Sequence, residues 1–150
     1  MQPREIMKYN FNDSLGFIIV KAGRLIENKL KTDFERENID VTPQQWSVLT
    51  YLWNEDGISQ QNLADAFSKD KTSMTRLLNN MEKNDLIVRK QDEQDKRNKK
   101  IYLTFKSKIM KKDTIKIAEK TLMDTLIGIE HKDLRLSKKI LKQINKNLEA

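Results

Sequence analysis

The sequence predicts a mainly α-helical chain with one small β-hairpin, and three observations carry that reading. Apolar residues recur at helical spacing through most of the 150 residues. Between positions 86 and 103 the period changes to two, in short stretches on either side of a densely charged tip. Capping and turn residues fall at the boundaries that these two periodicities define.

Leu15, Ile18, Ile19, Ala22, Ile26 and Leu30 share one face and predict a helix over about 10–37. Thr42-Pro43-Gln44-Gln45 is a helix start: Thr42 can cap, Pro43 suits the first helical position, and Gln45 can complete a capping box. The helix that follows carries Trp46, Leu49, Leu52 and Trp53 and stops at Asn54-Glu55-Asp56-Gly57. Ser59 caps a short helix over 60–67, and Ser68-Lys69-Asp70 makes a tight turn. Asp70 caps the next helix, which runs to about 84. Segments 86–90 and 99–103 read as strands around a polar tip, 91–98. A helix over 105–127 ended by Gly128, and another over 132–148, complete six helical segments. No repeat, linker or low-complexity stretch divides the chain, so a single domain is expected.

The order helix–helix–helix–hairpin is a winged helix-turn-helix, and its charge suits duplex DNA. The chain carries a net +7. Residues 1–68 hold 7 basic and 10 acidic side chains, a net of −3, whereas residues 69–100 hold 10 and 6, a net of +4. A basic middle can neutralise phosphates and release counterions. Residues 101–150 hold 12 and 6, a net of +6, and these lysines also suit solvated helix faces.

In such a unit the 60–67 helix braces the 71–84 helix, whose N-terminal residues face the bases. Lys69, Lys71, Thr72, Ser73, Thr75 and Arg76 are its outward candidates, while Met74, Leu77, Leu78 and Met81 face the core. Arg76 is the natural bidentate partner of guanine, Thr and Ser reach bases or phosphates, and Lys suits phosphates. Gln60 on the bracing helix and Lys96, Arg97, Asn98 and Lys99 on the hairpin complete the candidate DNA-binding set. Asp95, two before Arg97 across a tight turn, can hold the guanidinium for the narrow minor groove of A·T-rich sequence.

Several classes are excluded. Cysteine is absent, which removes disulfides and thiol chemistry, and a single histidine argues against a histidine metal site. No cofactor is expected. Glu55-Asp56 and Asp92-Glu93 are acidic pairs without a nucleophile, a base or a phosphate-cradling loop, so an enzyme is not expected. No apolar run reaches membrane-span length and no signal-peptide core opens the chain, so a cytoplasmic protein is expected. The alternative function is a winged-helix protein–protein module without DNA readout, which the ten cations of residues 69–100 disfavour.

The stretch from Leu63 to Thr104 resembles the MarR family of bacterial winged-helix transcriptional regulators. The match runs through LADAF, KTSMTRLLNNMEKNDLIVR and DKRNKKIYLT, the last corresponding to the family's D-x-R wing followed by Leu-Thr. The flanking helices fit the family's layout, so the resemblance covers nearly the whole chain. It implies that Asp95 buttresses Arg97, that Arg97 enters the minor groove, and that the 71–84 helix reads the major groove. It further implies a homodimer on a pseudo-palindromic operator, probed by a DNA-binding lobe over about 42–104 and joined through about 1–37 and 105–150.

Phe11, Leu15, Ile18, Leu122, Leu126, Leu136, Ile140, Leu141, Ile144 and Leu148 are the candidate dimer contacts, because a lone 150-residue chain has too little core to cover their faces. Family members often bind a small aromatic or anionic effector between lobe and dimer helices. Phe17, Arg24, Trp46, Tyr51 and Trp53 are candidates for such a pocket, although aromatics at helical spacing are ordinarily core. Three positions depart from the family pattern. Asp85 follows Asn84 where glycine is common, Ser107 replaces a glycine, and Glu130 stands where Ser or Thr caps. The missing cysteine removes the peroxide-sensing branch.

Overall fold

The computed structural model describes residues 10–149. The first nine residues of the 1–37 segment therefore lie outside the described residues. A 3-10 turn, Phe11–Asp13, precedes α1 (Leu15–Arg36), because Ser14 turns its hydroxyl to the Phe17 N–H and restarts the helix there. The expected continuous helix from position 10 is thus broken at its first turn.

Helix α2 (Pro43–Asn54) starts on a complete capping box, with Gln45 N–H donating to Thr42 Oγ1 and Thr42 N–H to Gln45 Oε1, both at 3.1 Å. Gly57 then takes a left-handed φ of 73°, and a Cβ there would meet the Tyr102 ring at 2.8 Å. Strand β1 (Ile58–Ser59) follows, and Ser59 caps α3 (Gln60–Ala66). Helix α4 (Lys71–Lys83) ends through Asp85 at φ 56°, the left-handed conformation its short polar side chain tolerates.

Strands β2 (Ile87–Gln91) and β3 (Lys99–Leu103) form the hairpin, with Val88 opposite Tyr102 and Lys90 opposite Lys100. The sheet has a third strand that the periodicity did not announce: β1 pairs antiparallel with β3, giving the order β1-β3-β2. Two residues are too few to display a period, and the partner lies far along the chain.

The core joins α2, α3, α4 and the sheet through Val48, Leu49, Leu52, Leu63, Met74, Leu78, Met81, Leu86, Ile87 and Ile101. At roughly 1.5–3 kcal/mol for each fully buried large aliphatic side chain, this cluster is the main favourable term for the lobe. Alpha-1 reaches it through Phe34, which is fully buried and meets Trp46 edge-to-face at 5.9 Å.

The expected single helix over 105–127 is two segments, α5 (Phe105–Ile109) and α6 (Lys111–Thr125). The interruption falls at Met110, which packs against the lobe core; α6 beyond it packs along α1 instead. Thr121 Oγ1 donates to Asp33 Oδ2 at 2.6 Å, and Lys29 Nζ bridges Asp33 at 2.8 Å and Asp124 at 3.2 Å. The Lys29 and Thr121 hydrogen bonds hold the Asp33 carboxyl below the usual aspartate range. After Gly128 (φ 78°), α7 (His131–Leu148) starts without a side-chain cap and has no buried residue.

Candidate nucleic-acid interface

Helix α4 begins where Asp70 accepts two hydrogen bonds from Ser73, from its N–H at 2.8 Å and from its hydroxyl at 2.9 Å. Those bonds keep the Asp70 carboxyl below its usual range and fix the first turn. With Met74, Leu78 and Met81 fully buried, the helix turns Lys71, Thr72, Ser73 and Arg76 to the outside, and Lys69 is half-buried. Gln60 donates from Nε2 to Thr75 Oγ1 at 2.8 Å, and that hydroxyl donates to the Lys71 carbonyl at 2.8 Å. This chain of bonds sets α3 against α4, the bracing that a helix-turn-helix needs.

The hairpin folds back toward this helix. Gln60, Lys71, Thr75, Arg97, Asn98 and Lys99 line one cleft of about 260 Å³, together with Arg89. Six of the expected contact residues therefore sit around one concave, cationic surface, while Arg76 is exposed on α4 outside its lining. Lys96 is exposed at the wing tip beside it.

Asp95 engages Arg97 through the backbone. Its Oδ1 accepts from the Arg97 backbone N–H at 3.0 Å, while Asn98 N–H donates to the Asp95 carbonyl at 2.9 Å. This is an Asx turn, so Asp95 shapes the backbone of the tip. Among the described residues no ion pair engages the Arg97 guanidinium, which extends exposed from the tip. In an Asx turn the carboxylate takes the amide two residues on, and here that amide is Arg97's.

Arg89 is the residue that sequence reasoning missed. Its guanidinium donates to Glu82 through Nε at 3.4 Å and Nη2 at 3.1 Å, and Nη2 also donates to Asn79 Oδ1. The arginine side chain is only 13% exposed and Glu82 is 44% exposed. Arg89 holds the Glu82 carboxyl below the usual glutamate range. The bond joins the wing to the exit of α4. Its sequence signal was only an arginine within a strand, which pairs directly opposite Ile101; the partners seven and ten residues back become neighbours only once the strand folds over α4.

The candidate effector residues are placed apart. Trp53 donates from its indole to the Ser107 carbonyl at 3.2 Å, and the Tyr51 ring meets that of Phe67 at 5.8 Å in a tilted arrangement. Phe17 meets Phe11 at 4.9 Å, and Arg24 is exposed on α1. Trp46 packs on the core with its indole N–H buried and without an acceptor. The candidate dimer residues are uncovered: Phe11, Leu15, Ile18, Leu122, Leu136, Ile140, Leu141 and Leu148 are exposed, and Leu126 and Ile144 half-buried. Among the described residues no helix is long and apolar enough to cross a membrane, and no group of His, Cys, Asp or Glu is arranged to hold a metal.

Comparison with known proteins matches this architecture. The MarR family model aligns with residues 41–99, which span α2 to the start of β3. The HTH-type transcriptional regulator MgrA of Staphylococcus aureus is 28% identical over 113 residues, covering 75% of this chain and 76% of that protein. A putative MarR family transcriptional regulator from Listeria monocytogenes, solved in complex with a 26mer DNA, is 26% identical with a TM-score of 0.78, covering 95% of this chain and 91% of that one. BpsR of Bordetella bronchiseptica, whose DNA binding is regulated by 6-hydroxynicotinic acid, shares the fold at 16% identity, with a TM-score of 0.81 and coverage of 93% and 98%. Its relatives are regulators, and in its helix-turn-helix, wing and flanking helices the chain is similar to the MarR family of transcriptional regulators, whose family model it matches over residues 41–99.

Proposed function

We propose that the chain works as a homodimeric repressor on a pseudo-palindromic operator, with α4 in the major groove and Arg97 in the flanking minor groove. The observation that carries this reading is the cleft that gathers Gln60, Lys71, Thr75, Arg97, Asn98 and Lys99 between α4 and the wing. A protein–protein module has no use for so many uncompensated cations around one cleft. Residues of about 42–104 form the DNA-binding lobe; α1, α6 and α7 join two copies through the exposed apolar residues of their faces. A two-fold axis then spaces two α4 helices by about one DNA turn, roughly 34 Å.

Release by a small aromatic or anionic effector belongs to the same reading. The support in this chain is the Trp46 indole N–H, buried without an acceptor at the junction of α1 and α2. Such a group costs free energy until an acceptor reaches it.

A salt-dependent anisotropy titration against operator and random duplex tests the DNA reading. Arg97→Ala weakens both by roughly 1–3 kcal/mol if the guanidinium is desolvated in the groove, and flattens the log–log salt slope by about one unit. Arg76→Ala narrows the ratio between operator and random duplex, whereas Lys71→Ala lowers both nearly equally. Unchanged affinity and slope in Arg97→Ala, with an intact ratio in Arg76→Ala, would overturn it.

A further inference from the structure

Helix α7 carries a second cationic surface that the operator-reading lobe does not use. Arg135, Lys138, Lys139, Lys142 and Lys146 line a shallow groove along it together with Gln143. At 100° per residue the five cations fall within an arc of about 100°. Leu134, Leu136, Ile140, Leu141, Ile144 and Leu148 occupy the opposite side, and so does Asp133.

Among the described residues none of the five makes an ion pair; the one bridge touching this helix joins Lys132 to Glu130. A helix face that is merely solvated ordinarily alternates signs, since like charges three and four apart repel. Here 135 meets 138 and 139, 138 meets 142, 139 meets 142, and 142 meets 146, all with the same sign. A bound polyanion removes that repulsion.

We infer that this stripe docks the phosphate backbone of a DNA segment other than the one read by α4, without reading its bases. The inference rests on the dimer proposed above, in which the apolar side of α7 meets the second copy and the cations face outward. The stripe runs about 16 Å at 1.5 Å per residue, a length over which duplex DNA advances about five base pairs along its axis at roughly 3.4 Å each. Four of the five cations are lysines, point charges suited to phosphates rather than to base edges. No apolar side chain interrupts the stripe, so it lacks what a membrane-surface helix inserts between lipids.

The test uses the full chain carrying Lys138→Gln, Lys139→Gln and Lys142→Gln, alone and combined with Arg76→Ala and Arg97→Ala. Random-sequence duplex, single-stranded RNA and vesicles rich in phosphatidylglycerol are the probes, with dimer content checked by sedimentation. The triple glutamine variant keeps the dimer and the operator-to-random ratio. In the Arg76→Ala/Arg97→Ala background it cuts the residual random-duplex affinity at least tenfold and flattens the salt slope by about three units. Wild-type protein saturated with operator also captures a second labelled duplex, and the triple variant does not. Unchanged duplex affinity and slope overturn the inference, as does a loss confined to RNA or to vesicles. Failure of the operator reading shows separately, as an Arg76→Ala/Arg97→Ala variant that binds operator like wild type.

Discussion

Replacing Arg89 by alanine removes every hydrogen bond between the wing and the exit of α4 that the arginine makes, two to Glu82 and one to Asn79. Hydrogen bonds to a desolvated charge contribute about 1.5–3 kcal/mol, and exposed ion pairs about 0–1. Arg89 is 13% exposed but Glu82 is 44% exposed, so solvent screens one side of the pair and the loss falls between those limits, at about 1–2 kcal/mol. For a chain of this length that lowers the melting temperature by about 3–6 °C. The pH dependence has a definite sign. Arg89 lowers the folded pKa of Glu82, so the pair's contribution is complete above the unfolded glutamate value of about 4.3. It is lost as pH falls through the lowered folded value. Urea unfolding at fixed protein concentration, at neutral pH and again below pH 4, measures both effects, and a cycle with Glu82→Ala isolates the pair. Arg89→Ala should be less stable than wild type at neutral pH, and the gap should narrow in acid. A neutral-pH loss within about 0.5 kcal/mol, as at an ordinary surface site, would refute the brace.

Two further outcomes are expected. Ile140→Glu with Ile144→Glu places charges in the middle of the apolar side of α7; sedimentation should show monomer and operator affinity should fall, because two half-site contacts add only when linked. A dimer that survives both substitutions would remove α7 from the interface. Titration with an aromatic carboxylate should quench tryptophan fluorescence in wild type and lose most of that response in Trp46→Phe, since the unpartnered indole N–H is the acceptor-seeking group; equal responses in both would place any effector elsewhere.

Local rules made much of the fold legible. Thr42 and Gln45 announced a capping box because its four atoms belong to residues three apart, and Asp70 announced α4 in the same way. Asp85 at φ 56° was readable for the same reason, as a residue able to take the conformation that glycine ordinarily supplies. What stayed hidden depends on contacts across the chain. No glycine or proline marks Met110, because the break there reflects a change of packing partner. Arg89 resembled any strand arginine until the hairpin folded over Asn79 and Glu82. At the site, the helical period separated Met74 and Leu78 from Lys71 and Arg76, so the facing of α4 was legible. The link between Asp95 and Arg97 was legible only as proximity; which atom of Arg97 the carboxylate would take was a matter of turn geometry.

The two-residue strand β1 has a consequence for the order in which the lobe assembles. Lys90 and Lys100 pair across ten residues, whereas Ile58 and Ile101 pair across 43. Closing the longer loop costs about 1 kcal/mol more in chain entropy, for only two residues of pairing. The hairpin can form on its own in microseconds, but β1 meets β3 only after α3 and α4, which lie between them in the chain, have been carried into place. The Gly57 amide, bonded to the Ile101 carbonyl at 3.0 Å, is therefore among the last hydrogen bonds of the lobe to close and the first to open. The wing takes its shape early and acquires its anchor late, so its attachment reports whether the rest of the lobe has finished folding.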